Sequence, residues 1–186
     1  MTYDYSENKG NFSSLWELFK NSLIQTISET DFNTAWNSRP DRTRLYFDGL
    51  LKAVASKMQL EFLPEMKFRI DGTMYVEGSQ GKKKIPIVLI ESENEAKKSD
   101  DEVYKLCLLN APLKILMISN EWNDSTIKQL TEGYWDYIIE DFAELTNLTG
   151  YFVVIVAEWM EKLRFFSYVY DDKGKKIESD LLIEKY

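Results

Sequence analysis

The stretch that most constrains this chain is Lys84 to Asn94, KIPIVLIESEN. Ile85 and the run Ile87 to Ile90 are apolar, with only Pro86 between them, which predicts a strand buried on both faces. The strand ends on two carboxylates one residue apart, Glu91 and Glu93, followed by Asn94. Side chains two apart on a strand share a face and stand about 6.5 to 7 Å apart along it. An ionised carboxylate at the end of a buried strand needs a metal ion, an Arg or Lys, or water, because removing an uncompensated charge from water is unfavourable. If the chain performs chemistry, it is expected here.

The flanking segments frame that strand. Upstream, Phe68 to Val76 alternates: Phe68, Ile70, Met74 and Val76 on one face, Arg69, Asp71, Thr73 and Tyr75 on the other. A turn containing Gly78 and Gly81 predicts a hairpin joining the two strands, which brings Asp71 toward Glu91 and Glu93, with a bulge expected at Gly72. Downstream, Ser99 before Asp100, Asp101 and Glu102 reads as an N-cap with acids in a helix's first turn. That helix carries Lys105 and ends near Ala111-Pro112, and Leu113 to Ser119, LKILMIS, reads as a further strand.

In this order, Asp71, Glu91-Ser92-Glu93, a helix and a strand resemble the PD-(D/E)XK nuclease superfamily, also called restriction-endonuclease-like. The segment Glu91 to Ser119 is similar to its uncharacterised prokaryotic branch with an E-x-E-N core. The resemblance covers roughly residues 43 to 120. It implies an α/β (α+β) fold with a restriction-endonuclease-like core: a mixed central β-sheet flanked by helices, here with an extra N-terminal helix and a C-terminal β-hairpin. It also implies a divalent-metal-dependent nuclease acting on DNA, with Mg²⁺ or Mn²⁺ held by Asp71, Glu91 and Glu93. The place usually held by Lys is Glu93 here, which makes Lys105 the candidate for the missing catalytic lysine.

Composition narrows the alternatives. The chain of 186 residues reads as a single domain, with no repeat, low-complexity segment or linker. It contains no histidine, which removes imidazole acid-base chemistry, His-based zinc sites and Ser-His-Asp or Cys-His catalysis. The lone cysteine, Cys107, excludes an intramolecular disulfide and favours a reducing compartment. No apolar run reaches membrane-spanning length and the N-terminus does not read as a signal peptide, so a cytoplasmic protein without a membrane partner is expected. A homo-oligomer is compatible with the sequence and not indicated by it.

Elsewhere the pattern is helical at the start and extended at the end. Phe12, Trp16, Phe19, Leu23 and Ile27 recur at helical spacing, with Ser14 and Glu17 as a capping box. A turn near Phe32 to Trp36 closed by Pro40 precedes a second long helix, capped by Asp41 or Thr43, with Phe47, Leu51, Val54 and Met58 inward. Gln59 to Leu63 reads as a short strand ended by Pro64. A third long helix is expected from Asp124 or Ser125 through Leu145, with Ile127, Leu130, Tyr134, Tyr137 and Ile138 inward. Gly150 to Trp159 and Leu163 to Asp171 form a closing hairpin.

Each feature also has a plain structural explanation. Glu91 and Glu93 can be the solvated end of a core strand, Asp71-Gly72 a turn element, and Lys105 the i,i+4 partner of Asp101. Asp48 faces away from its helix's apolar stripe and reads as solvated rather than as a fourth metal ligand, and the five tryptophans read as packing residues. Charge opposes a nucleic-acid binder, with 31 acidic against 23 basic residues and a net charge of -8. Lys82, Lys83 and Lys84 before the glutamate strand, and Lys97 and Lys98 after it, are the candidates for phosphate contacts, or else solvated turns. The alternative to a nuclease is a non-catalytic member of the same fold serving as a binding module.

Overall fold

A computed structural model of the chain describes residues 4–66, 69–94, 96–119, 135–159 and 161–186. It is a mixed α/β protein whose seven strands follow chain order in a mixed sheet. The chain divides into two compact units, Met1–Leu89 and Ile90–Tyr186. Among the described residues no helix is long and apolar enough to cross a membrane.

The first unit opens with helix α1, Phe12–Glu29, which buries Trp16, Phe19, Leu23 and Ile27 as the spacing predicts. Burying each such side chain contributes about 1.5–3 kcal/mol. Its cap differs from the expected Ser14–Glu17 box: Asn11 is the N-cap, and its side chain accepts from the Ser14 N–H at 3.1 Å. The next helical stretch begins at α2, Arg39–Arg44, one turn earlier than expected. Ser38 caps it, accepting from the Asp41 N–H at 3.2 Å. Pro40 therefore opens a helix instead of closing a turn, since a proline in the first turn forfeits no intrahelical bond. A π-helical segment, Leu45–Leu50, leads into α3, Leu51–Lys57. The expected stripe of Phe47, Leu51, Val54 and Met58 is buried.

Two antiparallel strands follow, β1 at Glu61–Met66 and β2 at Ile70–Glu77. Pro64 lies inside β1, not at its end. Gly72 does not bulge β2: it stays in register opposite Pro64. A Cβ there would meet the Phe47 and Phe62 rings at 3.0–3.1 Å, so the missing side chain is what lets those two rings stack. Thr73 is fully buried beside Met74, so β2 is covered on both faces and the alternation read from its sequence does not mark a solvent face. The hairpin into β3, Lys84–Glu93, is closed by the Gly78 N–H donating to the Lys83 carbonyl at 2.8 Å. The division between the two units falls within β3.

In the second unit a 3-10 turn at Ala96–Lys98 leads to α4, Asp100–Leu108, then β4, Leu113–Ser119. Ser99 sits at the N-cap position but does not cap. Its Oγ donates to the Ala96 carbonyl at 2.7 Å and accepts from Trp135 Nε1 at 2.9 Å, which ties the start of α5, Trp135–Leu145, to the start of α4. The expected residues 124–134 of that helix lie outside the described residues. Its buried residues are Trp135 and Ile139, and Tyr137, expected inward, is 60% exposed.

Strand β5, Tyr151–Trp159, pairs parallel with β4, and β6, Leu163–Tyr170, returns antiparallel as the expected hairpin. Gly150 makes the entry to β5 with φ +74, where a Cβ would collide with the Ala111 and Pro112 carbonyls. The sequence did not suggest a further strand, β7 at Lys176–Lys185, which pairs with β6. Ile177 and Leu182 are extra residues at two register shifts, so β7 lacks the clean period of two that would have marked it. Asp136 of α5 accepts from the Tyr170 hydroxyl at 2.6 Å and from Lys176 Nζ at 2.9 Å, fastening the helix to β6 and β7.

Candidate functional site

At the end of β3 a carboxylate is almost fully withdrawn from water. Glu91 is only 1% exposed, carried inside by the apolar run Ile87 to Ile90 that precedes it. The partner that such burial requires comes from α4, where Lys105 Nζ stands 2.8 Å from Glu91 Oε1. The approach is an ion pair without the alignment of a hydrogen bond. Lys105 keeps 32% of its side chain in solvent, so the pair joins a buried carboxylate to an ammonium at the water boundary. Helix α4 turns Val103, Leu106 and Cys107 inward, and Lys105 reaches Glu91 from outside that buried face.

Glu93 and Glu102 complete the cluster. Glu93 is half-buried, and its Oε1 accepts from the Asn94 N–H at 2.6 Å. Glu102, in the first turn of α4, has its carboxyl raised above the ordinary value, mainly by burial and further by the like charge of Glu93; Lys105 acts in the opposite direction. Glu102 Oε2 is buried with no hydrogen-bond partner among the described residues. These are oxygen donors of the hard kind that suit Mg²⁺ or Mn²⁺. Among the described residues, however, no group of three or more His, Cys, Asp or Glu side chains is arranged to hold a metal ion.

The other residues singled out by sequence fall in both units. Asp71 belongs to the first unit and lines a cleft with Thr43, Phe47, Pro64 and Glu65. Glu65 within β1 and Arg69 just before β2 have positive φ of 48 and 56, a sparsely populated conformation for residues with side chains. Lys82 and Lys83 are exposed in the β2–β3 turn, and Lys84 Nζ lies 4.7 Å from the centre of the Tyr75 ring. Lys97 and Lys98 belong to the 3-10 turn of the second unit, with Lys98 exposed. Asp48 is exposed, as its helix phase implies.

Two buried groups escaped the sequence reading. Lys114 of β4 has no exposed surface, and its Nζ has no hydrogen-bond partner among the described residues; burial lowers its pKa to about 8. Burial pushes the nearby Cys107 thiol up to about 12, which makes it a neutral packing group instead of a nucleophile. Glu158 at the end of β5 is also buried, but Arg164 opposite it on β6 closes the pair, Nε donating to Oε2 at 2.7 Å. Only the lysine interrupting LKILMIS was a visible signal for either site. Comparison with protein-family models and with curated proteins gives no match to this chain.

Proposed function

We propose that the end of β3 is the centre of a divalent-metal-dependent nuclease of the PD-(D/E)XK type, hydrolysing phosphodiester bonds in DNA. The observation that carries this is the 2.8 Å approach of Lys105 Nζ to the buried Glu91. Glu93 stands where the resemblance expects a lysine, and an ammonium delivered from α4 to the neighbouring carboxylate supplies the positive charge that a second glutamate cannot. The element order from α3 through β1, β2, β3 and α4 to β4 is compatible with such a core. Glu91 and Glu93 would hold Mg²⁺ or Mn²⁺, and Asp71 joins them on the strength of the resemblance alone. Glu102 Oε2, without a hydrogen-bond partner among the described residues, and its like-charged neighbour Glu93 favour a cation at this cluster. When bound, such an ion activates a water molecule and offsets charge developing on phosphate. Lys105 would place its own charge against a phosphate oxygen. Lys82, Lys83, Lys84, Lys97 and Lys98 would hold the DNA backbone.

A binding module without catalysis is the second reading. Lys105 already balances Glu91, and the chain carries a net charge of -8. One cleavage experiment separates the two. Purified protein with Mg²⁺ or Mn²⁺ is expected to cut single- or double-stranded DNA, and EDTA should stop it. Glu91→Gln should abolish cutting with the circular dichroism spectrum unchanged, and Lys105→Met should slow it by about 100-fold. If wild-type protein cuts neither DNA nor RNA with either ion, the binding module is the better account.

A further inference from the structure

The exposed faces of α4 and α5 form an apolar groove. Tyr104 of α4 and Tyr137, Ile138, Phe142 and Leu145 of α5 line it, and Tyr104 meets the Phe142 ring edge-on at 5.1 Å. Tyr104, Tyr137 and Leu145 are large side chains more than half exposed, with Leu145 at 79%. The charges carried by the two helices are mostly acidic: Lys176 of β7 balances Asp136 on the far side of α5, while Asp141 and Glu144 lie beside the groove. Helix α5, WDYIIEDFAEL, carries Asp136, Glu140, Asp141 and Glu144 and no lysine or arginine, and α4 begins Asp100-Asp101-Glu102. Lys105, the one base on either helix, is engaged with Glu91.

The position of those acids matters as well as their number. Carboxylates are favoured at a helix N-terminus and opposed at its C-terminus, where the partial charge is negative. Asp141 and Glu144 sit in the last turns of α5 with no base among them, so α5 alone carries both an exposed apolar stripe and an unfavourable charge arrangement. A cationic amphipathic segment relieves both at once.

We infer that the α4–α5 groove docks a basic amphipathic helix of a partner protein, its apolar face on Tyr104, Phe142 and Leu145 and its lysines or arginines against Asp141 and Glu144. The groove follows α5, whose 11 residues correspond to about 16 Å of axis, so about three turns of the partner helix fit it. Helix-in-groove recognition uses such anchors at spacings of three and four. A second copy of this face would set acid against acid, and nucleic acid or an anionic membrane would meet the same repulsion. The inference does not depend on the nuclease reading, because it uses neither Glu91 nor a metal.

The test uses a synthetic Leu/Lys peptide with leucines at spacings of three and four, a Leu/Glu peptide of the same pattern, and a scrambled Leu/Lys peptide. Fluorescence polarisation with the full chain should show binding of the first and not of the other two. Leu145→Ser combined with Tyr104→Ser changes exposed side chains and should weaken binding at least about tenfold, as should Asp141→Lys with Glu144→Lys. The inference is overturned if the scrambled peptide binds equally well, or if the serine variant binds as tightly as wild type. It is overturned too if sedimentation shows a dimer that the serine variant dissolves. Protection of the groove in the free chain by residues 120–134, read by hydrogen exchange, would also remove it.

Discussion

Replacing Lys114 by methionine should stabilise the protein. The lysine has no exposed surface, no hydrogen-bond partner for Nζ among the described residues, and a pKa lowered by burial from 10.5 to about 8. The nearby Cys107 thiol, pushed up to about 12, is neutral at pH 7 and offers no counter-charge. Each tenfold difference in proton affinity between the folded and unfolded chain is worth about 1.4 kcal/mol, so keeping this ammonium in the fold at pH 7 costs about 3 kcal/mol. The sign comes from counting protons. Between about pH 8 and 10.5 the unfolded chain holds a proton that the folded chain has released, so wild-type stability rises with pH across that window. Below pH 8 the penalty is fully present. Methionine is similar in volume and uncharged, so it removes the penalty with little repacking. Lys114→Met should therefore gain about 3 kcal/mol at pH 7, shrinking to about 1 kcal/mol at pH 10. Urea unfolding followed by tryptophan fluorescence measures this, with a melting temperature at pH 7 about 6 to 12 °C higher. A gain that is the same at pH 7 and pH 10, or a loss at both, would refute the reasoning.

Lys105→Met should destabilise the chain by about 1–3 kcal/mol, below the cost of breaking a fully buried pair because Lys105 is partly in water. Combining it with Glu91→Gln should cost less than the sum of the single changes, measured as a double-mutant cycle in urea; strict additivity would mean the two do not interact. Asp136→Ala should cost about 1–3 kcal/mol by leaving the buried Tyr170 hydroxyl and Lys176 without their acceptor, whereas Tyr170→Phe with Asp136→Ala should cost little more than either change alone. Gly150→Ala should lower stability by at least about 2 kcal/mol, read as a fall in melting temperature, because both its φ and the Ala111 and Pro112 carbonyls exclude a side chain.

What was legible in the sequence were the features set by local periodicity and run length. The apolar run before Glu91, the LKILMIS strand, the helical stripe from Trp16 to Ile27 and the β5–β6 hairpin all lie where those patterns put them. The losses have physical causes too. Ser99 reads as a cap, but a tertiary donor, Trp135, claims its hydroxyl. Gly72 reads as a bulge, but aromatic rings occupy the space a side chain would take. The sequence pattern from 124 to 145 places Tyr137 inward, whereas Trp135 and Ile139 set the buried face of α5. At the candidate site, the i,i+4 spacing of Asp101 and Lys105 suggested a surface pair within one helix. The partner of Lys105, Glu91, comes from another element, which no helical spacing rule could reveal.

The parallel pairing of β4 with β5 sets an order of events during folding. Tyr151 to Tyr170 can zip with β7 through short turns, whereas Leu113 must find Tyr151 across all of residues 114–150, and closing a longer loop costs more entropy. The β5–β6–β7 meander is therefore expected to be protected in pulse-labelled hydrogen exchange before β4 is. Until then LKILMIS is an exposed, aggregation-prone segment, and Lys114, with its ordinary affinity for a proton in the unfolded chain, is the charge that keeps it from pairing with its own kind. The residue that weakens the finished fold is thus expected to act as a gatekeeper for the chain still being made, so Lys114→Met should aggregate more during refolding while its folded state is more stable.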